Sequence, residues 1–190
     1  MIAEGRLVSI FLLGVVVGAT ALAGLLGLLL TTARRGAPLE PEVFDVLQAE
    51  ATTAIEHRDV PVAAVVVYAG EIIGRGRNRM NERCDAGGHA EIAAITDAIG
   101  RLGHDRFGAL DRDQLFLAST WEPCAMCRGA AIVHRIEHVV IATKKPWREA
   151  ARERRAEIRH FLRRRQSGPD AMQQRLNRAY YDVHGRPRDL

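Results

Sequence analysis

The spacing of hydrophobic and polar residues divides the chain into segments of different character. Residues 62–69 are apolar throughout and rich in β-branched side chains, which is typical of a strand buried on both faces. Gly70-Glu71 indicates a turn into a second strand, so these two strands should form a hairpin. The predicted elements are a helix at 42–58, strands at 62–69 and 71–76, a helix at 89–102, a strand at 114–119, a helix at 124–134 and a strand at 138–142.

This order of elements predicts an α/β domain. Because the later strands alternate with helices, they should run parallel and be joined by crossover helices. The hydrophobic content of the 190 residues is 47%, enough for a core, although an apolar run near the N-terminus raises it. The three cysteines are too few, and odd in number, for a disulfide framework.

That apolar run covers residues 7–30 and contains no charged residue. Its length suits a helix that crosses a bilayer core about 30 Å thick. A cleaved secretory signal and a buried core helix are the alternatives. Arg34 and Arg35 follow the run and favour the cytoplasm for its C-terminal side. We therefore expect residues 1–36 to be a membrane anchor and linker of a single-pass membrane protein, with the globular part in the cytoplasm.

The basic character of the chain belongs to its C-terminal tail. The net charge is +4, and residues 146–190 contain 12 Arg but only 6 Asp or Glu. Helices are predicted at 147–165 and 170–181, and the first has an apolar stripe that should pack on the domain or on a second subunit. Its Arg face is a solvated surface, a contact for anionic lipid or a contact for nucleic acid. The stripe comprises Trp147, Ala151, Ile158, Phe161 and Leu162.

Two short motifs with metal-ligand residues stand at the predicted starts of two helices. His89-Ala90-Glu91 opens one helix, and Pro123-Cys124-Ala125-Met126-Cys127 opens the other. Cys124 and Cys127 are three residues apart, so their thiolates face the same side of a helix. One imidazole and two thiolates leave the fourth tetrahedral position open, as in a catalytic zinc site. His89, Cys124 and Cys127 are therefore the predicted zinc ligands.

Glu91 lies two residues past His89, where it can contact a water on the metal rather than the metal itself. A carboxylate there can carry a proton to a ring nitrogen and then to leaving ammonia. The combination H-x-E followed by P-C-x-x-C is the signature of zinc-dependent nucleobase deaminases. Glu91 is therefore the predicted catalytic residue.

The sequence resembles the cytidine/deoxycytidylate deaminase superfamily, and within it the branch of tRNA adenosine deaminases and bacterial guanine deaminases. Pyrimidine nucleoside deaminases usually have Cys at the position of His89, so the histidine favours this branch. The resemblance extends from about residue 42 to residue 143. Its motifs are Asp59-Val60-Pro61-Val62, Gly74-x-Gly76-x-Asn78, Asp85, His89-Ala90-Glu91-Ile92-x-Ala94-Ile95 and Glu122-Pro123-Cys124-x-Met126-Cys127-x-Gly129-Ala130.

The resemblance implies a three-layer α/β/α sandwich of cytidine-deaminase type with a mixed sheet. This deaminase domain would occupy residues 37–145, preceded in this chain by one transmembrane helix and followed by the basic helical tail at 146–190. The resemblance also implies Zn²⁺ as cofactor and a homodimer. It implies that Asn78 hydrogen-bonds the substrate and that the backbone amide of Ala90 lines the pocket.

Two classes of function are open at this point. The first is hydrolytic deamination of a nucleobase, free, in a nucleoside or in tRNA, with a purine favoured and cytosine or cytidine as the alternative. The second is a catalytically inactive, membrane-tethered zinc-binding interaction module. Glu91 favours the enzyme, because an inactive relative need not keep the one motif residue that is not a ligand. The C-terminal segment usual in tRNA deaminases is not recognisable after Thr143, so the sequence leaves the substrate open.

Overall fold

The computed structural model describes residues 40–163 and 170–185, and the predicted helix at 7–30 lies outside the described residues. The elements are α1 (Pro41–Glu56), β1 (Ala63–Tyr68), β2 (Glu71–Arg77), α2 (Met80–Arg83), α3 (Ala90–Leu102), α4 (His104–Gly108), a 3₁₀ turn (Arg112–Gln114), β3 (Leu115–Trp121), α5 (Ala125–Val133), β4 (His138–Thr143), α6 (Trp147–Arg163) and α7 (Asp170–His184). The predicted order is confirmed. The short helices α2 and α4 were not predicted, because neither is long enough to show a hydrophobic period.

The four strands form one mixed sheet in the order β2-β1-β3-β4. β1 and β2 pair antiparallel, which confirms the hairpin, and β3 and β4 pair parallel. β1 and β3 are antiparallel neighbours. The later strands β2, β3 and β4 thus run in one direction as predicted, but β2 and β3 do not touch. The crossover through α3 passes over β1, which separates them.

Helices cover both faces of the sheet, because successive side chains of β1 and β3 point to opposite sides. On one face the strands pack against α3, α4 and α5, and on the other they pack against α1. All the side chains of β1 except that of Tyr68 are buried, as the uninterrupted apolar run predicts. The first cluster includes Ala64, Val66, Ala94, Ala98, Leu117 and Ala131, and the second includes Val43, Leu47, Ala63, Val65, Val67 and Phe116.

Two glycines let α3 lie directly against β2. A Cβ on Gly76 would lie 2.3 Å from the carbonyl oxygen of Ala90 and 2.4 Å from the backbone nitrogen of Ala94. A Cβ on Gly74 would lie 2.4 Å from the carbonyl oxygen of Ala94. No side chain fits between the two backbones, so the Gly-x-Gly spacing fixes where the first turn of α3 begins relative to the sheet.

The C-terminal helices begin at the predicted residues, but the apolar stripe of α6 does not cover the domain. Trp147 is 74% exposed and Leu162 is 73% exposed. The helix reaches the domain instead through the carboxylates of Glu153 and Glu157, which bond to residues of α5 and of the segment after β4. Packing of the stripe on a second subunit stays a prediction.

Within residues 40–163 and 170–185, no helix combines the length and the apolar sequence needed to cross a membrane. The transmembrane helix predicted at 7–30 falls on residues that the structure does not describe. The structure therefore gives no support to the predicted membrane anchor.

Replacing Gly76 by Ala should destabilise the protein, because the added methyl would overlap the Ala90 oxygen and the Ala94 nitrogen. Overpacking of this kind costs about 1–3 kcal/mol, and backbone atoms on both sides favour the upper end. Denaturant titration followed by circular dichroism measures the loss. Gly100→Ala is the matched control: a Cβ there meets no atom within 4 Å, and helical Ala should add about 0.5–1 kcal/mol. Wild-type stability of Gly76→Ala would contradict the backbone contact.

Candidate metal centre and active site

The predicted ligands stand at the starts of two helices that pack on the same face of the sheet. His89 is the N-cap residue of α3, and Cys124 is the N-cap residue of α5. Cys127 lies in the first turn of α5 and is buried. Because α3 follows β2 and α5 follows β3, two separate crossover connections deliver these three side chains to one place.

The ligand atoms lie at distances suited to one tetrahedral ion. The Nδ1 atom of His89 is 3.6 Å from the Sγ atoms of both Cys124 and Cys127, and the two sulfurs are 3.5 Å apart. Zinc bonds of about 2.3 Å to sulfur and 2.0–2.1 Å to nitrogen place tetrahedral ligands roughly 3.5–3.8 Å apart. Among the described residues, this is the one group of three or more such ligands within reach of a single ion. The structure therefore brings the predicted ligand set together, and the donors fit zinc.

The hydrogen bond between the two thiols shifts their pKa values in opposite directions. The bond between Cys127 and Cys124 lowers the pKa of Cys124 to about 5 and raises the pKa of Cys127. Because zinc binds the thiolate form of cysteine, metal binding at this site should release protons.

Glu91 lies beside the ligands without belonging to them. Its side chain is 3% exposed, and its Oε2 atom is 3.3 Å from the Sγ atom of Cys127. Burial raises the pKa of the Glu91 carboxyl, because desolvation disfavours the charged form. A buried carboxyl next to an open metal position is suited to taking up and releasing a proton.

Asn78 is connected to the metal site through a closed loop. Its Oδ1 atom accepts a hydrogen bond from the backbone of Met80, 3.1 Å away, and its Nδ2 atom makes no hydrogen bond to a described residue. The backbone nitrogen of Arg79 donates to the carbonyl oxygen of Gly88, which directly precedes His89. The two ends of the loop, and with them Asn78 and His89, are thus held side by side.

Two further motif residues hold this loop rather than contact the metal ligands. The Asp59 carboxylate accepts from the backbone nitrogens of Asn81 (2.7 Å) and Glu82 (3.2 Å), which caps α2. Asp85 accepts from the backbone nitrogen of Gly87 at 2.8 Å.

Ala90 is the first residue of α3, so its N–H has no acceptor within the helix. Binding of the substrate by this N–H stays a prediction.

Other residues singled out in the sequence lie apart from the ligand group. Cys84 is exposed and outside the metal group. His134 packs edge-on against Phe107, and His138 stacks on Phe116 with ring centroids 5.0 Å apart. Both histidines therefore have packing roles.

One group of residues near the site was not predicted from the sequence. We name it the charged clamp, and it joins α6 to the zinc-binding turn through two cations and two carboxylates. Burial alone would raise the pKa of Glu153, but the bonds from Lys145 and the Ala125 N–H outweigh it and lower that pKa. The sequence signal for this group was weak: Glu153 and Glu157 are four residues apart in a helix rich in arginine. The clamp comprises Arg128, Lys145, Glu153 and Glu157.

Comparison with known proteins places this site in a family. Residues 40–143 match the family described as the cytidine and deoxycytidylate deaminase zinc-binding region. The chain belongs to this family. The match covers more than half of the chain and confirms the resemblance predicted from the motifs. Together with the His/Cys/Cys group, it identifies zinc as the metal of the site.

Two curated relatives show how much of the chain is shared. The chain is 43% identical over 110 residues to a tRNA(Ile)-lysidine synthase of Deinococcus radiodurans, which covers 57% of this chain and 18% of that protein. It is 40% identical over 104 residues to a tRNA-specific adenosine deaminase of Streptococcus pyogenes, covering 54% of this chain and 62% of that protein. The chain thus spans less than two thirds of the length of either relative.

Two solved structures resemble the fold. One comes from a study of A-to-I editing by tRNA:A34 deaminases, with 36% identity and a TM-score of 0.50, covering 55% of this chain and 77% of that chain. The other is a guanine deaminase from Bacillus subtilis, with 24% identity and a TM-score of 0.59, covering 80% of this chain and 100% of that chain. The second likeness concerns the fold alone.

The predicted localisation, a single-pass membrane protein with a cytoplasmic catalytic domain, is wrong on these findings. The curated relatives are named as a tRNA-specific adenosine deaminase and a tRNA(Ile)-lysidine synthase, and no described helix can cross a membrane. The prediction used the apolar run at residues 7–30 and the arginines that follow it, a pattern that permits a membrane span but does not require one.

Replacing Cys124 by Ala should remove zinc, because two remaining ligands hold the ion far more weakly than three. Metal analysis of the purified wild-type protein should give about one zinc per chain, and the variant should give much less. Cys84→Ala is the matched control, since this thiol lies outside the ligand group and should leave the zinc content unchanged. Undiminished zinc in Cys124→Ala would remove Cys124 from the ligand set.

Proposed function

We propose that this protein is a zinc-dependent hydrolase that removes the exocyclic amino group of a nucleobase. The observation that carries the proposal is the convergence of His89, Cys124 and Cys127 with the buried carboxyl of Glu91 beside them. Three ligands suit a zinc with one open position, and a non-ligand carboxyl within the same site suits proton transfer. Family membership and the tRNA-specific adenosine deaminase relatives support the same reaction.

In this proposal each residue has a distinct role. His89, Cys124 and Cys127 hold the zinc, which when bound supplies a Lewis acid that makes water a nucleophile at neutral pH. Glu91 takes the first proton of the attacking water and delivers it to the adjacent ring nitrogen. Glu91 then moves the second proton to the amino group, which leaves as ammonia. The water oxygen stays on the ring carbon as the new carbonyl oxygen.

A purine is the favoured substrate, and the S. pyogenes relative and the structure from the tRNA:A34 deaminase study support adenine in tRNA in particular. We propose that the Nδ2 donor of Asn78 and the backbone N–H of Ala90 bind the base edge. Cytosine or cytidine is the alternative substrate. The proposal also includes a homodimer, a deaminase domain at residues 37–145 and a basic helical tail at 146–190.

The second candidate is a zinc-binding interaction module without activity. Such a module would use the same zinc ligands, but Glu91 would have no role in it. A buried glutamate with a raised pKa carries a desolvation cost that an apolar residue would avoid, so its presence favours the enzyme.

Incubating the full-length protein with adenine, guanine, cytosine, their nucleosides and tRNA should release ammonia from at least one substrate. Coupled ammonia assays and mass spectrometry of the product base measure the reaction. Glu91→Gln is the matched control: it should keep zinc but lose activity by about 10²- to 10⁴-fold, the usual range for a lost general acid–base. Ammonia released only from purine substrates would support a purine deaminase. Ammonia released only from cytosine or cytidine would support the alternative substrate.

An inactive module predicts a different pattern. Wild type and Glu91→Gln would then bind equal amounts of zinc and release no ammonia from any substrate. Full activity in Glu91→Gln would leave zinc chemistry intact but remove Glu91 from the mechanism.

Replacing Asn78 by Asp should weaken substrate binding while preserving the fold. The new carboxylate can still accept from the backbone nitrogen of Met80, but it lacks the Nδ2 donor. Loss of one directed hydrogen bond in a binding site costs about 1–3 kcal/mol, so KM should rise roughly tenfold or more. Steady-state kinetics measure the change, with thermal unfolding as the check on the fold. An unchanged KM would exclude Asn78 from substrate binding.

A further inference from the structure

The backbone N–H of Ala125, the first residue of α5, needs an acceptor from outside the helix. An N-cap side chain accepts from the N–H of the second or third helical residue, which leaves the first N–H without a partner in the helix. The N-cap residue of α5 is Cys124, and hydrogen bonds from the Cys127 side chain and from the backbone of Cys127 and Met126 lower the pKa of its thiol. Its sulfur also lies 3.6 Å from His89 Nδ1 and 3.5 Å from Cys127 Sγ. The Ala125 N–H, directly after this ligand, is therefore left for another part of the chain.

Glu153 of α6 supplies that acceptor from another helix. Its Oε1 atom lies 2.5 Å from the backbone nitrogen of Ala125, the residue directly after Cys124. Its Oε2 atom lies 2.7 Å from the Nζ atom of Lys145, whose side chain is 6% exposed. The carboxylate is therefore held in place at one oxygen while the other oxygen caps α5. A negative charge at this position also matches the positive end of the helix dipole.

The peptide group on the other side of Cys124 is held by the same cluster. The carbonyl oxygen of Pro123 accepts from Arg128 Nη1 at 2.8 Å and from Lys145 Nζ at 3.4 Å. Arg128 in turn pairs with Glu157 of α6. The charged clamp thus fixes the backbone both before and after Cys124, and with it the direction of the Cys124 side chain.

Simple docking of α6 would be a weaker explanation of these contacts. No residue of α6 is buried, and its apolar stripe is exposed, so burial of apolar surface does not hold it in place. The Glu157 carboxylate pairs with the side chains of Arg128 and Arg154, whereas Glu153 reaches a backbone group adjacent to a zinc ligand. The contact of Glu153 is therefore specific to the ligand-bearing turn.

We propose that Glu153 is a positioning residue of the zinc site, which binds the Ala125 N–H directly after Cys124 and thereby sets zinc affinity from α6. The proposal concerns metal binding and does not depend on which reaction the site performs. Partners that orient metal ligands typically contribute 10- to 100-fold to metal affinity. The contribution of α6 should fall in this range although none of its residues touches the ion.

The experiment uses four variants of the full-length chain that separate the negative charge of residue 153 from the length of its side chain. Glu153→Ala removes the charge and the acceptor oxygens together. Glu153→Asp keeps the charge but is one methylene too short to reach the Ala125 nitrogen, and Glu153→Gln keeps an acceptor oxygen at full length. Glu149→Ala is the matched control, because it removes an acidic residue from the first turn of the same helix outside the clamp.

Zinc affinity is measured by competition with a chelator, and ligand geometry by the visible spectrum of the cobalt-substituted protein. We expect Glu153→Ala and Glu153→Asp to lose tenfold or more in zinc affinity and to show an altered cobalt spectrum. Glu153→Gln should lose less and keep the wild-type spectrum, and Glu149→Ala should match wild type. If Glu153→Ala does not fold, the contrast between Glu153→Asp and Glu153→Gln decides the question alone.

Wild-type zinc affinity and spectrum in Glu153→Asp would overturn the proposal, because the cap would then be dispensable. An equal loss of affinity in Glu149→Ala would also overturn it, because a general effect of helix charge would explain the result. If no substrate released ammonia, the proposed deaminase activity would fail, but the result for Glu153 would still stand, since zinc affinity is measured without substrate.

Discussion

The direct contact between the backbones of β2 and α3 is the constraint on which the site depends. With glycine at positions 74 and 76, the first turn of α3 lies against the strand with no side chain between them. His89 and Glu91 project from this turn, so their positions relative to the sheet are set by backbone packing rather than by flexible side chains. Backbone contacts are stiff, and a metal site tolerates little displacement of its ligands.

Zinc then joins two crossovers that the sheet places independently. α3 follows β2 and α5 follows β3, and the two strands are separated by β1. Neither crossover contains a complete ligand set, because His89 belongs to one and the two cysteines to the other. Metal binding therefore also stabilises the arrangement of the two helices, since part of its free energy appears as folding free energy. The ligands stand at helix starts because β2 and β3 run in the same direction, so the helices that follow them begin at the same edge of the sheet.

The sequence predicted what local patterns determine. Strand β1 was evident from its uninterrupted apolar run, and the ligand set from two motifs whose spacing is local. The insertion of β1 between β2 and β3 was not evident, because strand order depends on which edges pair in three dimensions. The exposed stripe of α6 shows the limit of periodicity, which identifies an apolar face but not the surface that covers it. The localisation inferred from residues 7–30 failed for a related reason, since an apolar run of this length permits a membrane span but does not require one.

The charged clamp escaped prediction because its members are distant in sequence and individually ordinary. Glu153 and Glu157 lie on a helix with many arginines, where acidic residues are read as solvated partners of their neighbours. In the structure they face inward and meet Arg128 and Lys145. Two cations and two carboxylates compensate one another, which is the condition under which partly buried charges are tolerated.

Docking through its acidic residues also determines what α6 presents outward. A helix that turns Glu153 and Glu157 toward the domain must turn its arginines away, because those residues occupy the remaining faces. The exposed residues of this outer face include Arg148, Arg152, Arg155 and Arg159, which line a groove together with Trp147. The outward direction of this basic surface is therefore a geometric consequence of the same contact that binds the Ala125 N–H. A change in how α6 docks would therefore remove Glu153 from the Ala125 N–H and redirect these arginines together.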